Sequence, residues 1–157
     1  MTAEQSGTHS ARLAELGITL PAAPAAAGSY LPTARTGNLV FTAGQLPFVD
    51  GVLAGTGKVG DAVSVEDANA YARLCAVNAL AAVHAAVGID AVVRVVKVVG
   101  FVASAEGFTG QPGVINGASD LLVEVFGEAG RHARSAVGVS ELPLGTPVEV
   151  EMIVEVR

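Results

Sequence analysis

Cysteine occurs once, at Cys75, in a chain of 157 residues. No internal disulfide can form, and a single domain of this length buries enough surface to fold without one, so a reduced, intracellular setting is expected. Tryptophan is missing, aromatic residues make up 4%, and charged residues make up 15% against roughly 25% in an average domain. The nine cations are scattered apart from Arg131 and Arg134, and the net charge is -6. That balance argues against a broad phosphate-neutralising surface and disfavours nucleic acid as a partner, leaving room for a local basic cleft. The histidines His9, His84 and His132 stand far apart with no carboxylate or thiol at ligand spacing, so no metal is expected.

A long uninterrupted apolar run is also missing, although the mean hydropathy is +0.53. The uncharged stretch from Leu16 to Ala34 is broken by Pro21, Pro24 and Pro32. Leu74 to Ile89 is shorter than a span and holds Asn78 and His84. Glu4 and the lack of a cationic run before an apolar core argue against a signal peptide. A cytoplasmic protein with no membrane partner is expected. So little charge cannot cover the whole surface of a small domain, so part of the apolar excess is assigned to subunit contacts.

Residues 1–27 read as an N-terminal extension, partly disordered, with residues 1–9 frayed and a short helix capped by Ser10 and ended by Gly17. Residues 28–157 read as one domain. A strand is expected over Asn38–Gln45, then a turn-rich excursion from Phe48 to Gly60. A helix capped by Ser64 and stopped by Gly88 carries the stripe Ala68, Ala72, Cys75, Ala79 and Val83. Ala91–Ala103 is rich in valine on both faces and reads as a strand covered on both sides. A second helix spans Ile115–Glu128, and strands follow over Ser135–Val139 and Val148–Val156, the last with one apolar and one acidic face. This order predicts an α+β domain, a mixed sheet with two helices packed on one face.

Several chemical motifs fail on context. Gly55-Thr56-Gly57-Lys58-Val59-Gly60 spells a dinucleotide fingerprint, but no long apolar strand leads into it; a flexible hairpin loop is the plain reading. Gly117-Ala118-Ser119-Asp120 lacks the closing glycine of a nucleophile elbow, because Leu121 stands there. Cys75 lies on the apolar stripe and reads as a buried, inert thiol. His132 sits beside two arginines and is kept as a site candidate. Arg134, opening an apolar strand, offers a rigid fork of donors to a carboxylate, and Glu149 on the terminal strand can act on a water. The plain alternative is a salt bridge between Arg134 and one of the glutamates. Glu151, on the same strand face as Glu149, is expected to serve a structural pair.

Arg134-Ser135-Ala136-Val137-Gly138-Val139, then Leu142-Pro143 and Val148-Glu149-Val150-Glu151, resembles the C-terminal signature of the reactive intermediate deaminase family, also called the Rid or YjgF family. Gly28-Ser29-Tyr30 and Ala43-Gly44-Gln45-Leu46-Pro47 resemble its upstream elements, and the chain looks like a less characterised, endoribonuclease L-PSP-like branch. The resemblance implies a chorismate-mutase-like fold and a homotrimer with clefts between subunits. It implies hydrolysis of 2-imino and enamine acids to 2-keto acids and ammonia, with no cofactor and no metal, so that the small-molecule partner is a 2-imino or 2-keto acid. By motif position it places Arg134 and Glu149 in catalysis and Tyr30, Asn116, Arg134 and Ala136 in substrate binding. Ala136 replaces a cysteine of the best-known branch, and Ala43 a common cleft serine. A non-catalytic regulatory protein that binds small carboxylates and an endoribonuclease are the alternatives.

Overall fold

In the computed structural model, which describes residues 7–23 and 25–157, five strands form one mixed sheet and two long helices cover one of its faces. The elements in chain order are α1 (His9–Glu15), β1 (Thr33–Thr36), β2 (Leu39–Thr42), β3 (Phe48–Val49), β4 (Val52–Leu53), α2 (Val65–Val87), β5 (Val92–Ala103), α3 (Gln111–Phe126), β6 (Ala133–Val139) and β7 (Val148–Val156). The sheet order is β1-β2-β7-β5-β6, with β3 and β4 forming a separate hairpin. Strands β5 and β6 run parallel, joined by the crossover helix α3, and the other strand pairs of the described residues are antiparallel.

The alternation along β7 sets the layers. Val148, Val150, Met152, Val154 and Val156 are buried beneath the helices, while Glu149, Glu151, Ile153 and Glu155 point to the other face. Ser64 caps α2 by accepting from the Asp67 N–H, and the whole stripe Ala68, Ala72, Cys75, Ala79 and Val83 is fully buried. By length and composition α2 could cross a membrane, yet half of its most apolar window is buried within the domain, as in a core helix.

Several expectations need correction. Strand β5 is covered by helices on one face only; the other face leaves Val93, Phe41 and Val137 about two-fifths exposed. Its apolar residues therefore lie open in a single chain. Helix α3 begins at Gln111 rather than Ile115, because Pro112 is tolerated in a first turn, where its missing N–H would have no intrahelical partner. It ends at Phe126, and Gly127–Gly130 form a 3-10 turn. The cap of α1 is Thr8, not Ser10, whose hydroxyl and N–H both donate to Asp90. Of the stretch expected to be frayed, residues 1–6 lie outside the described residues, and His9 already opens α1. The glycine loop is no free hairpin. Buried Val59 bonds along the end of β5, donating to Ala103 and accepting from Ala105.

Strand β2 is shorter than its expected Asn38–Gln45 span. The ladder stops at Thr42 and resumes at Gln45, which exchanges two backbone bonds with Val150. The interruption carries Ala43 and Gly44 across the open face.

Candidate functional site

The residues singled out in the sequence form two separate groups. The first lies on the open face. Glu149 is half-buried there, and Gly44 passes so close that a Cβ at that position would sit 2.6 Å from the Glu149 Oε1. A side chain at this position would force the Glu149 carboxylate aside. Two neighbouring cavities, of about 540 Å³ and 350 Å³, share Tyr30, Gly44 and Glu149 in their walls. Ala43 lines the larger; Leu46, Phe48, Pro143 and Leu144 make the smaller one largely apolar. Burial chiefly, and then the negative charge of Glu151, push the Glu149 carboxyl above the usual glutamate range. Glu151 makes no ion pair among the described residues, contrary to its expected structural pairing, so its charge acts on Glu149 instead.

The second group lies in the groove between α3 and the edge strand β6. Arg134 Nη1 donates to Asn116 Oδ1 at 2.8 Å and to Ser119 Oγ at 3.2 Å. Ser119 Oγ is 2.9 Å from His132 Nε2, and His132 Nδ1 is 2.7 Å from the Gly130 carbonyl oxygen. Burial chiefly holds the His132 pKa below the usual range; the Gly130 bond opposes the shift, and the Arg134 charge adds to it. Ala136 follows on the helix-facing side of β6, half-buried against the core. Arg134 has no carboxylate partner among the described residues, so the salt bridge to a glutamate is not formed.

The two groups do not meet within one chain. Arg134 is registered with Val98, and Val98 with Met152, both buried on the helix side. Glu149 is registered with Phe101 on the opposite face. Tyr30 and Glu149 share cavities, Asn116 and Arg134 share a hydrogen bond, and the sheet separates the pairs. The cation and its amide therefore lack a carboxylate, and the carboxylate and its tyrosine lack a cation. Ser119 and Gly44 carried no assigned role in the sequence. The Gly44 signal was the glycine between a strand and Gln45-Leu46-Pro47, whereas nothing at the spacing of Ser119 and His132 announced their contact. Cys75 is fully buried with its pKa raised chiefly by that burial, which leaves it an unreactive core thiol. Among the described residues no three His, Cys, Asp or Glu side chains converge to hold a metal ion.

Residues 10–156 match the family described as "YjgF/chorismate_mutase-like, putative endoribonuclease". The solved structure of Atu1372 from Agrobacterium tumefaciens, a protein of unknown function, is 48% identical with a TM-score of 0.88, over 95% of this chain and 92% of that one. A Shewanella oneidensis protein named as a candidate endoribonuclease is 33% identical with a TM-score of 0.92, over 96% of this chain and 100% of that one. TdcF of E. coli, solved with bound serine, is 27% identical with a TM-score of 0.61, over 86% of this chain and 93% of that one.

Proposed function

The chain belongs to the YjgF/chorismate-mutase-like family, and from that premise we propose that it hydrolyses 2-imino and enamine acids to 2-keto acids and ammonia, as a homotrimer. Each cleft joins the Arg134 group of one chain to the Glu149 group of its neighbour. The observation that carries this reading is the division of the site: two complementary half-sites on opposite faces of one sheet, each lacking what the other has. The apolar open face, with Phe41 and Val137 exposed, is the surface a neighbour would cover. The serine bound to TdcF supports an amino-acid-like ligand with an α-carboxylate. A cytoplasmic setting agrees with the single thiol.

In this scheme the Arg134 guanidinium holds the carboxylate and Glu149 takes a proton from a water that attacks the C=N carbon. An enamine first takes a proton on carbon to become the imine. The carbon–oxygen bond then forms as the C=N π pair moves to nitrogen, and the proton taken by Glu149 passes to that nitrogen. Transfer of the hydroxyl proton to nitrogen as the carbon–nitrogen bond breaks releases ammonia and the keto acid. Imines hydrolyse readily, so holding carboxylate and water in register supplies most of the acceleration. The family description and the Shewanella relative bring endoribonuclease activity forward as the second reading. The assay that separates them generates imino acids with an amino-acid oxidase and follows semicarbazone formation, with RNA integrity read on the same preparation. The expected result is reduced semicarbazone yield and intact RNA. Unchanged yield across small, branched and aromatic substrates contradicts the deaminase reading, and RNA cleavage that vanishes in Arg134→Ala supports the nuclease.

A base must be ionised, so the rate rises with pH through the raised pKa of Glu149. Glu149→Gln is expected to remove this acid limb and lower kcat by about 100-fold, the lower end of what a positioned base supplies. Glu151→Gln removes the second cause of the shift and moves the limb to lower pH with a smaller loss of rate. A larger loss at Glu151 than at Glu149 would reverse the assignment. The sign for stability is opposite to that for activity. A carboxyl whose folded pKa is raised favours folding when protonated, and that contribution disappears as the pH rises through the folded value. Glu149→Gln should therefore melt above the parent protein at neutral pH.

A further inference from the structure

Ser119 and His132 take no part in the reaction as written, yet their hydrogen bonds run in one direction. The Gly130 carbonyl oxygen can only accept, so His132 Nδ1 carries the ring proton and Nε2 is left as an acceptor. Ser119 therefore donates its hydroxyl proton to Nε2, and its oxygen is open to receive a proton from Arg134. Nη1 of Arg134 has two protons, and Asn116 Oδ1 and Ser119 Oγ take both. Among the described residues nothing accepts from Nε or Nη2. The far end of the relay is equally fixed, because Gly130 packs directly on the Leu122 carbonyl of α3 with no room for a Cβ. Both ends of the chain of bonds thus rest on the same rigid helix.

Resting on the reading of Arg134 as the carboxylate clamp, we propose that Ser119 and His132 are positioning residues that lock Nη1 of Arg134 onto α3 and so present its Nε–Nη2 edge to the substrate carboxylate. A flexible arginine would lose rotamer freedom on binding, and the relay removes that loss in advance. The effect belongs to binding rather than to the chemical step.

Ser119→Ala and His132→Leu break the relay, whereas Ser119→Thr keeps the hydroxyl and His132→Gln keeps an acceptor near the position of Nε2. Calorimetry with 2-ketobutyrate and steady-state kinetics on the imine are expected to show Kd and KM raised about tenfold in the two breaking variants. In both, kcat should stay within about twofold of the parent, and the two conservative variants should stay within about threefold of parental Kd and KM. Parental Kd and KM in Ser119→Ala and His132→Leu, beside lost binding in Arg134→Ala, overturn the relay and leave the clamp standing. Equal losses in all four variants also overturn it, since they mark a merely structural role. Parental binding in Arg134→Ala overturns the clamp and the relay together. One readout is independent of ligand and activity. Nitrogen-15 NMR of the His132 ring at neutral pH should report the Nδ1–H tautomer, with an Nε2 resonance that moves in Ser119→Ala. An Nε2–H tautomer contradicts the proposal whatever the kinetics show.

Discussion

Replacing Arg134 by lysine is expected to lower kcat/KM for imino acid hydrolysis by about 100-fold while leaving the thermal midpoint nearly unchanged. Lysine keeps the charge but not the planar fork. In the native arrangement one nitrogen of that fork serves Asn116 and Ser119 while the other two meet no acceptor among the described residues, a division of labour that a single ammonium cannot reproduce. Two charge-assisted hydrogen bonds lost to the substrate amount to about 3 kcal/mol, which is about two orders of magnitude in rate. Steady-state kinetics on an imine the parent hydrolyses, paired with a melting curve, checks both halves. Parental kinetics in Arg134→Lys would show that charge alone suffices and that the fork geometry has no role.

The second large effect concerns stability. Gly117 on α3 faces α2 so closely that a Cβ would run into the backbone carbonyl of Asn69. Backbone, unlike the tip of a side chain, cannot step aside, so Gly117→Ala must push the two helices apart. We expect a loss of about 2–4 kcal/mol, the upper range for overpacking. In a domain of this size that lowers the melting midpoint by roughly 4–15 °C. Gly113 lies on the same helix, but a Cβ there would meet nothing within 4 Å, and Gly113→Ala serves as control. It should be neutral or stabilising, because alanine is the better helix former. Equal melting of the two variants would mean that the two helices can separate at little cost. The same displacement would carry Asn116 and Ser119 away from Arg134, so activity should fall in Gly117→Ala beyond what unfolding explains.

Much of this architecture was legible in local patterns. The strict alternation from Val148 to Val156 specified β7 and its two faces, and Ser64 with Gly88 bounded α2, because period and caps are written into neighbouring residues. The start of α3 was hidden by Gln111-Pro112-Gly113, which reads as a loop although proline is well placed in a first turn. The valines of β5 misled for a different reason. Apolar residues on both faces signal burial on both faces, and one chain supplies only one cover. The candidate site was legible in its residue types and, through resemblance, in Arg134, Glu149, Tyr30 and Asn116. Its division between two faces was not, since it depends on the register of β6 on β5 and of β5 on β7, and register is a long-range property. Ser119 and His132 meet through the turn at Gly127–Gly130, a spacing with no periodic signature.

If one catalytic cleft needs two chains, co-expression of Arg134→Ala with Glu149→Gln restores activity that neither variant has alone. Each variant alone is expected to be nearly inactive, since every cleft lacks one half. In a homotrimer that holds both variants, one cleft of three pairs an intact Arg134 group with an intact Glu149 group, so about a third of the parental imine hydrolysis should return in the mixed assemblies. Mixed assemblies, isolated through two different affinity tags, would be assayed beside each variant alone. Recovery toward that level is what a shared cleft predicts, and activity no higher than that of either variant alone would contradict it.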